Sequence, residues 1–281
     1  MAFRCALVGF AGRPNVGKST LVNAIVGEHV SITSSRAQTT RRRIAGIAHG
    51  DDWQLVLADL PGIQVPRDGL TRRMAESVSE TLADVDVVLL VLDASQPIGG
   101  GDRASAEAAF AAGAPVVVVL NKTDRLAPAR IAEAIAAAAE LGPFAEIHPV
   151  SARTGDGVEG LVADLVRLAP EGPALFPAEA TSSDPVRLRI AELIREQALR
   201  RLRDEVPHAL TVVVEEYTAP TRRRAARIEA AIYVESSSQQ GIVVGKGGEM
   251  IRDIGTAARP EIERVIGAKA MLDLRVKTQR G

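Results

Sequence analysis

Gly12-Arg13-Pro14-Asn15-Val16-Gly17-Lys18-Ser19-Thr20 stands between an apolar run at 3–10 and a helix-like segment at 19–25. It has the form G-x-x-x-x-G-K-S, and each residue type has a physical task there. The glycines let the backbone wrap tightly enough for successive N–H groups to converge on phosphate oxygens. Lys18 brings a compact positive charge to the outer phosphates, and the Ser19 hydroxyl is a ligand for magnesium. The helix that follows places the positive end of its dipole at the same anion. A chance glycine-rich turn needs neither the strand before it nor the helix after it. The stretch reads as a phosphate-binding loop.

Outward from the loop, strand-like and helix-like segments alternate. Residues 31–43 are polar, carry Arg36, Arg41, Arg42 and Arg43, and read as a mobile loop. Segments 43–50 and 54–59 form a hairpin around Asp51-Asp52. Asp59-Leu60-Pro61-Gly62 follows at the strand end where an open α/β sheet puts its ligand. A helix at 70–83, an aliphatic strand at 85–93 and a helix at 104–112 come next. A buried strand at 115–120 then ends in Asn121-Lys122-Thr123-Asp124. A helix at 129–141, a short strand at 147–150 ending in Ser151-Ala152-Arg153, and a helix at 158–168 complete the unit. Aliphatic runs of this kind suit strands covered on both faces. The predicted fold is α/β, a doubly wound and mostly parallel sheet over 1–169.

Residues 170–185 are rich in Pro, Gly, Ser and Thr and read as a linker. Over 186–281 the order changes to a smaller α+β domain. A helix at 186–203 precedes strands at 209–217 and 226–234. The turn Gly245-Lys246-Gly247-Gly248, helices at 249–258 and 260–266, and a strand at 271–276 follow.

Composition bounds the class. The 281 residues are 46% hydrophobic and 25% charged, ordinary for a soluble chain of one or two domains. Aromatics make up only 3%, so the cores are built from Val, Leu, Ile and Ala. The single cysteine, Cys5, cannot form an internal disulfide, which fits a reducing compartment. No stretch reaches the ~18 to 20 apolar residues needed to span a bilayer. A cleaved signal peptide would destroy the phosphate loop. A cytoplasmic protein is expected, with peripheral contact at the inner face of the cell membrane left open. The net charge of −1 hides an asymmetry: −5 over 1–181 against +4 over 182–281. A basic second part fits a nucleic-acid partner. Only five lysines occur against 29 arginines, and Lys18, Lys122 and Lys246 each fall inside a motif.

The motif after the second buried strand selects the base. Guanine offers an N1–H and an exocyclic amine on one edge, and a carboxylate accepts from both; adenine lacks that pair. Asp124 is therefore the base-reading residue, with Lys122 packing along the ring and Asn121 tying loops together. Ser151-Ala152 adds a backbone N–H for the guanine oxygen. Asp59 holds magnesium through a water, the Gly62 N–H faces the terminal phosphate, and Thr40 (or its neighbour Thr39) is the candidate hydroxyl that reaches the metal only in the triphosphate state. Arg41-Arg42-Arg43 reads equally as a solvated surface or a partner-binding one. Many GTPases orient the attacking water with a Gln after D-x-P-G. Ile63 stands there, so slow intrinsic turnover is expected. Asn15 becomes a candidate holder of a monovalent cation such as K+. The catalytic set is Lys18, Asn15, Thr40 and Gly62.

Taken together, G-R-P-N-V-G-K-S-T, A-Q-T-T-R (37–41), D-L-P-G-I, N-K-T-D and S-A-R resemble the Era family of ribosome-assembly GTPases. The likeness extends to residues 186–281, which look like a type II KH domain with G-I-V-V-G-K-G-G-E-M-I (241–251) as its signature. It implies GTP and GDP as ligands, Mg2+ as cofactor, and a nucleotide site spanning Gly12 to Thr20, Asp59 to Gly62, Asn121, Lys122, Asp124 and Ser151 to Arg153. The metal ligands would be Ser19, Thr40 and Asp59. It also implies a monomer that binds near the 3′ end of small-subunit ribosomal RNA and assists 30S assembly. Gly241, Gly245, Lys246, Gly247, Gly248 and Arg252 are the implied RNA contacts, since such a turn approaches about four single-stranded nucleotides. One departure stands out. Family members generally continue with Trp-rich, basic sequence, whereas the strand here reads Leu272-Asp273-Leu274-Arg275-Val276-Lys277. Stacking from that end is not expected, which leaves Arg275, Lys277 and Arg280 to carry charge. The competing reading is a nucleotide-gated module with negligible catalysis that binds other RNAs.

Overall fold

All seven residues of the strand Val87–Asp93 are buried, and alternate side chains enter two different cores. A strand buried this way needs cover on both faces, and the architecture follows from that need. The computed structural model describes residues 2–31, 44–59, 82–182, 185–202 and 210–278. The first unit contains β1 (Arg4–Ala11), β2 (Ile44–His49), β3 (Trp53–Asp59), β4 (Val87–Asp93), β5 (Val116–Asn121) and β6 (Glu146–Pro149). They form one sheet in the order β2-β3-β1-β4-β5-β6. The hairpin partner β2 is antiparallel to β3, and every other pairing is parallel. This is the expected doubly wound, mostly parallel sheet. The helices are α1 (Lys18–Val26), α2 (Gly100–Ala111), α3 (Pro128–Ala139) and α4 (Val158–Leu168). Leu21, Leu161 and Leu165 of α1 and α4 pack with Val8, Leu89 and Val119 on one face. Ala106, Ala109 and Ala138 of α2 and α3 pack with Leu90 and Val118 on the other. Small residues there let the helices lie close to a sheet already filled by branched side chains.

Chain order reverses around β1, whose neighbours are β3 and β4. The loop that leaves β1 is thus at the topological switch point, the crevice in which such sheets bind ligands. The helix expected at 70–83 lies outside the described residues, apart from its last two positions.

The segment expected as a linker is largely strapped down. Cys5 N donates to Pro170 O at 3.1 Å, Gly172 N to Phe3 O at 3.0 Å and Ile47 N to Thr181 O at 2.9 Å. Gln54, fully buried on β3, is the clasp. Its Oε1 accepts Leu175 N (2.8 Å) and Phe176 N (3.0 Å), and its Nε2 donates to Phe176 O (2.9 Å). The His49 Nε2 donates to Ala180 O at 2.6 Å, which leaves Nδ1 to accept from Gln54 Nε2 at 3.3 Å. The first compact unit accordingly runs to Ser183 and the second begins at Asp184.

The second unit contains α5 (Val186–Arg201), β7 (Thr211–Thr218), β8 (Ala226–Val234), α6 (Ser237–Val244), α7 (Glu249–Ile266) and β9 (Ala270–Thr278). β7 and β8 are antiparallel, and β8 and β9 are parallel. Helix α6 was not expected. It opens with a capping box in which Ser236 Oγ accepts Gln239 N and Gln239 Oε1 accepts Ser236 N. The break expected at Pro260 does not occur either, and α7 runs through it. Proline removes one helical hydrogen bond, but Pro260 and Thr256, whose carbonyl is freed, are both exposed to water. The buried stripe Ile254, Ala258 and Ile262 continues across the site.

Replacing Gln54 with alanine leaves two part-buried N–H groups and a part-buried carbonyl of the strap without their partner. About 2–4 kcal/mol of stability should be lost. Chemical denaturation measures the loss, and hydrogen exchange should rise first over 170–182.

Candidate nucleotide site and RNA-binding turn

Three loops meet at the C-terminal edge of the first sheet, and the sequence of each explains its shape. The phosphate loop leaves β1 with Gly12 at φ 148°, Asn15 at φ 65° and Gly17 at φ 102°. A Cβ on Gly12 would lie 2.5 Å from the Val91 carbonyl oxygen, and one on Gly17 would lie 2.2 Å from Asn121 Nδ2. Both positions exclude any larger residue. Pro14 sits in the turn, and Val16 is buried in the core below. Lys18, 7% exposed, folds back over the loop, donating to Gly12 O at 2.9 Å and Arg13 O at 3.0 Å. Ser19 and Thr20 follow in the first turn of α1.

Asn121 ends β5 and joins all three loops. Its Nδ2 donates to Val16 O at 2.9 Å, and its Oδ1 accepts Lys122 N at 2.8 Å and Ala152 N at 3.0 Å. Of the Ser151-Ala152 pair expected to offer an N–H to the guanine oxygen, Ala152 N is therefore engaged by Asn121 and Ser151 N donates to Asp156 O at 2.9 Å. Lys122, at φ 72°, extends its Nζ to Asn15 O (2.7 Å) and Asp93 Oδ2 (2.6 Å). Asp124 accepts Ser151 Oγ at 2.8 Å on Oδ1, and Arg153 Nε and Nη2 at 3.1 and 2.7 Å on Oδ2. The Ser151 hydroxyl, then Arg153, hold its carboxyl below the usual range against a smaller opposing effect of burial. A carboxylate offers about four lone-pair sites; these three bonds leave about one, so accepting two further donors requires Arg153 to release one of its two bonds.

Two residues of this edge were missed by sequence reasoning. Burial pushes the Asp93 carboxyl up, but Lys122 and Ser95 outweigh it and leave the pKa below the ordinary value. The only sequence signal was a carboxylate closing an otherwise aliphatic strand. Asp102, 2% exposed in the first turn of α2, accepts Arg13 Nε at 2.6 Å and Gly99 N at 2.9 Å. Arg13 thus braces the phosphate loop against α2.

Asp59 closes β3 beside β1, at the same edge as Ser19. A hydroxyl and a carboxylate form an all-oxygen set that suits Mg2+. Thr40, Leu60, Pro61, Gly62 and Ile63 lie outside the described residues.

In the second unit, Gly245 at φ 73° would bring a Cβ within 2.8 Å of Met250 N, so the fold itself requires glycine. Gly247 and Gly248, at φ 61° and 79°, meet nothing within 4 Å. Their open sides, with exposed Gly241, Lys246 and Arg252 nearby in sequence, leave room for a close-lying backbone.

These features define a phosphate-loop nucleotide-binding domain followed by a type II KH domain. Comparisons with known proteins agree. A family model for 50S ribosome-binding GTPases matches residues 7–122, and a KH domain model matches 205–281. GTPase Era of Mycobacterium sp. (strain JLS) is 47% identical over 280 residues, 98% of this chain and 93% of that protein. GTPase Era of Mycobacterium tuberculosis (strain CDC 1551 / Oshkosh) is 46% identical over 284 residues, 99% of this chain and 94% of that protein. The chain belongs to the Era family of GTPases. A crystal structure of Era with MgGDPNP and nucleotides 1506–1542 of 16S ribosomal RNA superimposes with a TM-score of 0.91 at 34% identity, covering 99% of this chain and 94% of that one. A variant of Aquifex aeolicus Era bound to GDP and AlF4− gives 0.92 at 34% identity, covering 99% and 95%. Among the described residues, no helix is long and apolar enough to cross a membrane.

Exchanging Gly17 for alanine should drive the Asn121 amide out of its bond to Val16. A fall of at least about tenfold in GTP affinity is expected, the equivalent of one lost hydrogen bond plus backbone strain. Titration with a fluorescent guanine nucleotide reads it directly.

Proposed function

We propose that this chain is a GTP-hydrolysing switch that binds small-subunit ribosomal RNA near its 3′ end through its KH domain and assists 30S assembly. The observation that carries the reading is the convergence of the phosphate loop, the N-K-x-D turn and the S-A-R turn on the Asn121 side chain. Full-length likeness to an Era structure holding MgGDPNP and 16S ribosomal RNA nucleotides supports the RNA partner. In this reading residues 1–169 form the GTPase domain, 170–185 lead out of it, and 186–281 bind RNA, with the protein acting as a cytoplasmic monomer.

Each residue then has a role. Gly12 to Thr20 wrap the phosphates, with Lys18 neutralising the outer ones. Ser19 and Asp59, joined by Thr40 in the triphosphate state, hold Mg2+, which neutralises charge on the transferred phosphoryl group. The Gly62 N–H contacts the terminal phosphate. Asp124 reads guanine, Asn121 fixes the loops, and Ser151 and Arg153 hold the Asp124 carboxylate in place. Asn15 holds K+ beside the phosphates, the position from which a cation offsets charge that a water-orienting Gln does not address. Lys246 and Arg252 neutralise RNA phosphates, while Gly245, Gly247 and Gly248 admit the backbone.

Two measurements test this. Phosphate release should be several-fold faster in K+ than in Na+, and Asn15→Ala should abolish the difference; equal rates in both salts would remove the cation role. Crosslinking the full chain in cells, locked with a GTP analogue or by mutation, should map to the 3′ end of small-subunit ribosomal RNA. Crosslinks scattered over messenger or transfer RNA would favour the general RNA-binding reading instead.

A further inference from the structure

Strand β4 is aliphatic from Val87 to Leu92 and ends in a carboxylate, Asp93, whose side chain is 3% exposed. A buried charge is expensive to desolvate, and a buried ion pair is often no more stabilising than apolar residues of similar size. Its presence at the one strand end facing the nucleotide loops therefore needs a reason beyond stability. Its geometry supplies one. Oδ1 accepts the Ser95 N–H at 3.0 Å and the Ser95 hydroxyl at 2.6 Å, so the carboxylate cannot rotate freely. Oδ2 accepts Lys122 Nζ at 2.6 Å, and the same ammonium donates to Asn15 O at 2.7 Å. Asn15 holds a left-handed backbone at φ 65°, a conformation that disfavours side-chain-bearing residues.

We infer that Asp93 is a positioning residue for nucleotide binding, drawing the Lys122 ammonium down onto the Asn15 carbonyl so that Lys122 becomes a strut between the base-reading loop and the phosphate loop. Without the carboxylate, a lysine on a flexible four-carbon stem directs its ammonium to water. The Asn15 carbonyl then loses its donor, and the two loops no longer hold each other in register. Because the strut touches neither the terminal phosphate nor the base-reading carboxylate, GDP and GTP are affected alike. The inference rests on the assignment of 121–124 as the guanine loop.

A double-mutant cycle on the full chain tests it, with affinities for GDP and a non-hydrolysable GTP analogue as the readout. Asp93→Asn keeps the size of the side chain and removes its charge. It should weaken both nucleotides by about tenfold, the equivalent of one charge-assisted hydrogen bond. Lys122→Met should cost at least as much. The double variant should be no weaker than Lys122→Met alone, because Asp93 acts only through Lys122; a purely structural role for Asp93 would make the two losses multiply. Multiplied losses, or an Asp93→Asn affinity equal to wild type, overturn the inference. Should Asp93→Asn fail to fold, Ser95→Ala frees the carboxylate without removing it. That variant should show a smaller loss, about threefold, which again vanishes in the Lys122→Met background and overturns the inference if it does not. Asp124→Ala in the same assay separates the two levels: unchanged guanine affinity there would reject the assignment of the guanine loop itself.

Discussion

The Asn121 amide, 2% exposed, spends its hydrogen-bonding capacity on three pieces of backbone from three loops. Those loops leave β1, β5 and β6; β5 and β6 are adjacent in the sheet, whereas β1 is separated from β5 by β4, and all three run parallel. A parallel sheet brings the loops to the same edge but does not set their relative heights. Asn121 does, through bonds strengthened by the low dielectric around them. The cost is paid in residue choice at Gly17, where no Cβ can coexist with the amide. A site for a ligand with a phosphate end and a base end needs such a fixed spacing between its two ends.

The sheet and the three loops were legible because their signals are local. The 87–93 run, the glycine spacing at 12–17 and the residues 121–124 each act within one element or one turn. What was not legible depends on partners far apart in the chain. Composition alone marks 170–185 as a linker, since nothing near it shows that Gln54, more than a hundred residues earlier, has buried its amide to receive residues 175 and 176. Asp102 likewise reads as an ordinary helix-opening carboxylate until Arg13 is found beside it. Pro260 shows the opposite error, a correct local rule overridden by context. The proline lies on the wet side of α7, so the lost bond leaves a carbonyl in water rather than in a core. Helix α6 had a readable start in Ser236-x-x-Gln239, which the glycine turn after it overshadowed.

The rarity of lysine in this chain acquires a structural meaning at the same edge. Lys18 and Lys122 each direct a single ammonium into a slot lined by backbone carbonyls, Gly12 and Arg13 for one and Asn15 for the other. Lys122 adds the Asp93 carboxylate to its carbonyl, whereas the planar guanidinium of Arg13 matches the carboxylate and amide that it meets at Asp102 and Gln96. The division holds at this edge and not throughout the chain, since Arg4 Nη1 donates to the Arg167 and Ala169 carbonyls and Lys269 and Lys277 pair with carboxylates.

A parallel distinction separates the glycines of the KH turn, and it bears on what the turn is for. Gly245 is fixed from within, because Met250 already occupies the space a side chain would need. Gly247 and Gly248 meet no atom of their own domain, so packing alone does not demand their bareness; their left-handed backbone admits Asn or Asp at a modest cost. Two adjacent glycines on an open, exposed turn beside Lys246 are better explained by something outside the chain that must come close. A backbone of linked phosphates has the charge to be drawn to Lys246 and the slender profile to lie against a turn without side chains. The first glycine therefore serves the fold, and the last two leave the open backbone that the proposed RNA contact requires.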